Sequence, residues 1–150
     1  MEPLRIEATR PRVSIMEYRV SYRETDQMAA VYYSNYLEWA ERARTEWLRG
    51  HGLCYREWED IHRLRLPIRQ CALRYYAPAR YDELVQFATA LTALGRASLR
   101  FDMTVWSPAG RALCDSAVEL ACVDEGGKPT PIPETYRSIL GQLLHATAGA

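Results

Sequence analysis

Asp26 stands shortly before Asn35 in the stretch YRETDQMAAVYYSNYLEWAERARTEWLRG, residues 22–50. An alternating strand runs into Glu24-Thr25-Asp26, and a long helix begins near Asn35. That order delivers one carboxylate to the mouth of a helix N-terminus. N–H groups without helical partners and the helix dipole favour negative charge there. A carbonyl carbon attacked by Asp26, or by water that Asp26 directs, would leave its oxyanion facing those donors. An isolated Asp in such a turn is more often an Asx-turn or cap, so the neighbouring residues carry the weight.

The elements that must position this carboxylate follow from periodicity. Met16, Tyr18, Val20 and Tyr22 alternate with Glu17, Arg19, Ser21 and Arg23, which predicts a strand. Asn35 is expected as a helix N-cap, with Glu38 completing a capping-box pattern. The helix should run from about Tyr36 to Arg49 and stop at Gly50, with Gly52 close behind. Its apolar stripe is Tyr36, Trp39, Ala40, Ala43 and Trp47, and the two alanines would let a sheet approach closely. A short helix over 54–62 should pack through Trp58 and Ile61. Period-two strands are expected over 68–76, 84–94, 99–105 and 112–123, the last three as an antiparallel meander. Pro133 should open a closing helix to about residue 144, with Tyr136, Ile139, Leu140, Leu143 and Leu144 inward. The order is strand, long helix, then four strands: an α+β domain, residues 1–150, whose sheet wraps one central helix. A sheet covered on one face leaves an edge, so association of copies is expected. Residues 1–12 and 146–150 read as frayed ends.

Composition narrows the function classes. Nineteen basic and nineteen acidic residues balance, giving no electrostatic case for nucleic acid or a membrane surface. No stretch reaches the length of a membrane span and no leader pattern opens the chain, so a cytoplasmic protein is expected. Cys54, Cys71, Cys114 and Cys122 show no CxxC spacing, and His51, His62 and His145 form no metal pair. Reduced cysteines, no metal and no cofactor are the expectation. No GxSxG elbow or Gly-rich phosphate loop is present.

Thr25, Asp26, Val31, Tyr33, Asn35, Tyr36, Leu37, Trp39, Glu41, Ala43 and Arg44, with PARYDELV at 78–85 and GKPTPIP at 127–133, closely resemble the 4-hydroxybenzoyl-CoA thioesterase family. The similarity spans about residues 14–134. It implies the hot-dog fold, an antiparallel sheet of about five strands around one long helix. It also implies dimers or tetramers with active sites between subunits, and hydrolysis of an acyl-CoA thioester. Asp26 would be nucleophile or general base, and the N–H of Tyr33 would polarise the carbonyl. This sequence departs from the family pattern twice. Ala29-Ala30 replaces the motif glycine, and Tyr33 stands where many members carry His.

Other residues keep two readings. Asn35 is explained by capping and also suits holding the Asp26 turn. Glu41 fits a salt bridge or interface hydrogen bond, or a group that orients water. Arg74, Arg80, Arg96 and Lys128 are candidates for CoA phosphates, with solvated roles equally open. Tyr32, Tyr36, Trp39, Trp47, Tyr75 and Tyr76 could line an acyl pocket or simply pack. Beside the acyl-CoA enzyme stand a thioesterase for an acyl carrier protein, a non-catalytic acyl-binding protein and a hot-dog dehydratase. The dehydratase would want a histidine that the motif lacks.

Overall fold

A computed structural model describes residues 2–4 and 13–144. Most residues of the expected frayed ends lie outside the described residues, as does His145. In chain order come β1 (Ser14–Arg19), a 3-10 turn (Tyr22–Glu24), α1 (Asn35–Gly50), α2 (Tyr55–Asp60), β2 (Ile68–Tyr75), β3 (Leu84–Leu94), β4 (Ser98–Trp106), β5 (Ala112–Ala121) and α3 (Glu134–Leu143). The strands pair antiparallel in the order β1-β3-β4-β5-β2. β3, β4 and β5 form the expected meander, and β2 closes the far edge against β5.

α1 lies on the inner face of this sheet. Trp39 meets Phe87 of β3 at 5.3 Å between ring centres, and Trp47 meets Phe101 of β4 at 5.1 Å. Both indoles are buried, as are Ala40 and Ala43 between them. The small residues let backbone and sheet close, while each large ring removed from water contributes roughly 3 kcal/mol. These contacts also orient the helix, its N-terminal half over Phe87 and its C-terminal half over Phe101.

Several boundaries differ from the sequence reading. β1 ends at Arg19 because Glu24 N–H bonds Ser21 O at 3.1 Å and Thr25 N–H bonds Tyr22 O at 3.2 Å, closing a tight turn. Tyr22 therefore leaves the strand face and is exposed. Gly50 is the last residue of α1 rather than its left-handed cap, which is Gly52 with φ 76°. The amides of Leu53 and Gly52 bond the carbonyls of Leu48 at 2.8 Å and Arg49 at 3.1 Å, the two bonds of a Schellman cap. α2 ends at Asp60, so Ile61 falls off its apolar face and is exposed, and Ile139 of α3 also faces solvent. β5 ends at Ala121, since Cys122 and Val123 bond the chain at Ala97 and Arg65 instead.

Candidate active site

Residues 24–32 fold back on themselves at the mouth of α1. Tyr32 N–H donates to Glu24 O at 2.9 Å, Thr25 pairs with Val31, and Asp26 N–H donates to Ala30 O at 2.9 Å. Val31 N–H then bonds Ala79 O at 2.9 Å, and Arg80 reaches Ala29 O at 3.4 Å, fixing the turn against the loop before β3. Ala29, in the place of the motif glycine, has a φ of 59°. That left-handed backbone costs a Cβ-bearing residue on the order of 1 kcal/mol.

Asp26 is exposed on this turn. Its Oδ1 accepts the N–H groups of Met28 at 2.8 Å and Ala30 at 3.4 Å. The Asx-turn expected of an isolated aspartate is present, and it uses one oxygen. Oδ2 has no protein partner among the described residues. The carboxylate is thus oriented through one oxygen and open at the other.

Tyr33 lies in the turn that leads into α1. The carbonyl of Tyr32 accepts Asn35 N–H at 3.0 Å, and the carbonyl of Tyr33 accepts the Tyr75 hydroxyl at 3.0 Å. The N–H of Tyr33 donates to no group among the described residues. A planar trans peptide whose carbonyl is held by Asn35 must aim this N–H the opposite way. The rings of Tyr32 and Tyr33 lie 4.5 Å apart and, with Tyr75, form an exposed tyrosine wall beside the turn. Tyr36 is only 2% exposed. It packs edge-on to Tyr75 at 5.3 Å and accepts Ala79 N–H on its hydroxyl at 3.0 Å. Burial raises the phenol pKa of both Tyr36 and Tyr75.

Asn35 is not the cap. It is the first residue of α1, after Ser34, which makes no side-chain cap bond. Its side-chain amide instead donates to Glu24 O at 2.9 Å, so Asn35 holds the turn that bears Asp26. The residue missed by sequence reasoning is Glu24. Its carboxylate accepts Ser21 N–H at 2.9 Å, Tyr18 O–H at 3.0 Å and Trp39 Nε1–H at 2.5 Å. Burial pushes its pKa up, but the bonds from Ser21, Trp39 and Tyr18 outweigh that and hold it below the usual glutamate value. The spacing Ser21-x-x-Glu24, a capping-box pattern, was the available signal.

The remaining candidates lie elsewhere in this chain. Glu41 is on α1, about 9 Å along the helix from its start at ~1.5 Å per residue. It lines a cavity of about 290 Å³ with Arg44, Thr45, Tyr55 and Ile68. Arg44 Nη1 is buried there without a protein partner among the described residues, and burial lowers its pKa. Tyr75 reaches the helix side of β2, whereas Tyr76 bonds Asp115 at 2.5 Å from the opposite face. Arg74 shares that opposite face with Tyr76 and interacts with it. Arg96 sits in the β3–β4 hairpin, at the far end of β3 from the loop that holds the turn. Lys128 stands in the turn after β5, where its N–H bonds Asp124 at 2.9 Å. Asp26, Tyr32, Tyr33 and Asn35 are therefore brought together, with Tyr75 and Arg80 beside them.

The sequence profile of the thioesterase-like superfamily matches residues 20–140. The acyl-CoA thioester hydrolase YbgC of Escherichia coli O6:H1 is 33% identical over 118 residues, 78% of this chain and 87% of that protein. A DHNA-CoA thioesterase structure from Staphylococcus aureus superposes with a TM-score of 0.83 over 87% of this chain and 90% of that one, at 23% identity. A 4-hydroxybenzoyl CoA thioesterase does so with a TM-score of 0.79 over 86% and 99%, at 20% identity. At those identities the two structures speak for the fold alone. Profile, relative and fold agree with the motif around Asp26: the chain belongs to the thioesterase-like superfamily and has its hot-dog fold.

Proposed function

We propose that this protein is an acyl-CoA thioesterase, releasing a free acid and CoA with no metal or organic cofactor. The observation that carries the reading is the pairing, in one loop, of the Asp26 carboxylate with the N–H of Tyr33, its Oδ2 and that N–H both lacking a partner among the described residues. Asp26 attacks the thioester carbonyl carbon as nucleophile, or takes a proton from water that attacks it. On either route the carbonyl oxygen becomes an oxyanion, Tyr33 N–H donates to it, and the C–S bond breaks with CoA as leaving thiolate; on the nucleophilic route the acyl group then stands on Asp26 as a mixed anhydride, which water hydrolyses to the free acid and regenerates the carboxylate. Membership of the superfamily and the name of the E. coli relative support the choice of thioester. The exposed tyrosines 32, 33 and 75 supply an acyl-facing wall, and Arg80 is the basic side chain set against the turn. We further propose that it acts in the cytoplasm as a homo-oligomer, a dimer or a tetramer.

The test is free-thiol release from aryl- and alkyl-CoA esters by wild type and Asp26→Asn. Turnover should fall at least ~100-fold in the folded variant, about 2.7 kcal/mol of barrier. Equal turnover would remove Asp26 from the chemistry. If wild type cleaves no CoA ester, the acyl-CoA reading fails.

A further inference from the structure

The start of α1 lacks a side-chain cap. Ser34 makes no cap bond, and the Asn35 amide is committed to Glu24 O. A helix end left this way normally loses about 1 kcal/mol relative to a capped one. Something else must hold the helix against the Asp26 turn.

We infer that Glu24 is that device, a positioning residue that sets the Tyr33 N–H and the Asp26 turn in register through a two-point grip on α1. Its main-chain carbonyl takes Asn35 Nδ2–H at 2.9 Å, and its carboxylate takes Trp39 Nε1–H at 2.5 Å. Asn35 and Trp39 are four residues apart, so both anchors lie on one face of the helix, a turn apart. Two anchors fix what one cannot: the rotation of the helix about its axis as well as its position along it. The same carbonyl takes Tyr32 N–H at 2.9 Å, immediately before the peptide that presents Tyr33 N–H. The carboxylate is itself held from outside the helix by Ser21 N–H at 2.9 Å, Ser21 O–H at 3.0 Å and Tyr18 O–H at 3.0 and 3.1 Å. Glu24 thus joins β1, the 3-10 turn and α1 at the point two residues before Asp26. It touches neither Oδ2 of Asp26 nor Tyr33 N–H, so its role is geometry, with no chemical step of its own. A charged acceptor suits the role, because bonds to an ionised carboxylate are shorter and stronger than neutral ones.

This inference rests on the thioesterase reading, and its test separates the two. Glu24→Gln keeps the shape of the side chain but replaces one acceptor oxygen with NH₂. With the best CoA ester, kcat should fall at least tenfold while KM stays within twofold, at a temperature where far-ultraviolet circular dichroism shows the variant fully folded. A residue that merely added stability would leave kcat unchanged under that condition. Trp39→Phe removes the other end of the same link, so the double variant should lose little beyond the larger single loss. If Trp39→Phe does not fold, Tyr18→Phe, which removes only a hydroxyl, takes its place in the cycle. Additive losses, or a Glu24→Gln kcat within twofold of wild type, would overturn the inference. Hydrogen exchange supplies the readout independent of turnover: the peptide containing Tyr32 to Asn35 should exchange at least tenfold faster in Glu24→Gln. Unchanged exchange there overturns the grip even if no thioester is cleaved, whereas an inactive wild type with accelerated exchange overturns only the thioesterase reading.

Discussion

Three side chains in the Asp26 turn show how local chemistry is divided. Asp26 spends one oxygen on its own loop and keeps the other, so the ordinary structural role and the proposed catalytic one do not compete. Glu24 supplies the rigidity, and Ala29 carries the strain. With φ at 59°, Ala29 occupies backbone space where a Cβ is crowded against the following carbonyl. Glycine removes that crowding but has more freedom to lose on folding, which offsets part of the gain. Ala29→Gly should therefore stabilise the fold by about 0.5–1 kcal/mol. At this chain length that is roughly 1–4 °C in melting temperature, read by thermal denaturation. A lower melting temperature would mean that Ala29 makes a contact worth more than its backbone strain. The sequence disclosed the position, since the motif glycine was absent there. Glu24 was harder to see because its partners lie at Tyr18 and Trp39, on different elements, and only the fold brings them together.

At the scale of the element, the two ends of α1 follow different logic. The N-terminus is held from the side, and the C-terminus is closed by the Schellman bonds to Leu48 and Arg49. Sequence pattern placed the stop at Gly50, but Gly50 is helical and Gly52 carries the positive φ. The two glycines should respond oppositely to alanine. Gly50→Ala meets open space and gains helix propensity, up to about 1 kcal/mol of stability. Gly52→Ala also meets open space but must adopt a left-handed backbone, losing about 1 kcal/mol. Urea unfolding of both variants decides the matter; the same sign for both would contradict the assignment of the cap. The stripe of α1 and the strands β3 and β4 were readable because burial imposes strict periodicity on them. The sequence misjudged places where a polar bond overrides the pattern, as at Tyr22, or where an element is too short to keep its stripe inward, as at Ile61. The position of β2 at the far edge was not readable at all, since alternation reveals a strand but not its neighbour.

The whole molecule is defined as much by that edge as by its core. Among the described residues β2 bonds β5 on one side and no strand on the other, and of its residues only Leu73 is even partly buried. An open edge of this length, with Ile68 and Tyr75 about half exposed, is a template for another strand. If the oligomer proposed above pairs a second copy along this edge, the cysteines offer a way to watch it. Cys71 lies within β2 and is exposed, whereas Cys114 and Cys122 are buried. Burial and the neighbouring Asp115 carboxylate push the Cys114 thiol up to about 12, and burial raises that of Cys122. Since the thiolate is the reactive form, a disulfide reagent at about pH 8 should leave both untouched until the protein unfolds. Cys71 should react readily in dilute protein and more slowly as concentration rises, in step with a mass by light scattering that climbs to a multiple of 17.3 kDa. Cys54, which is not on β2, should keep a constant rate and so report any general change in conformation. If mass is already a multiple at every accessible concentration, Cys71 should be slow throughout and quicken only when urea separates the copies. A mass of one chain at all concentrations, with Cys71 always fast, would exclude self-association along β2. The site formed by Asp26 and Tyr33 would then have to be complete within a single chain.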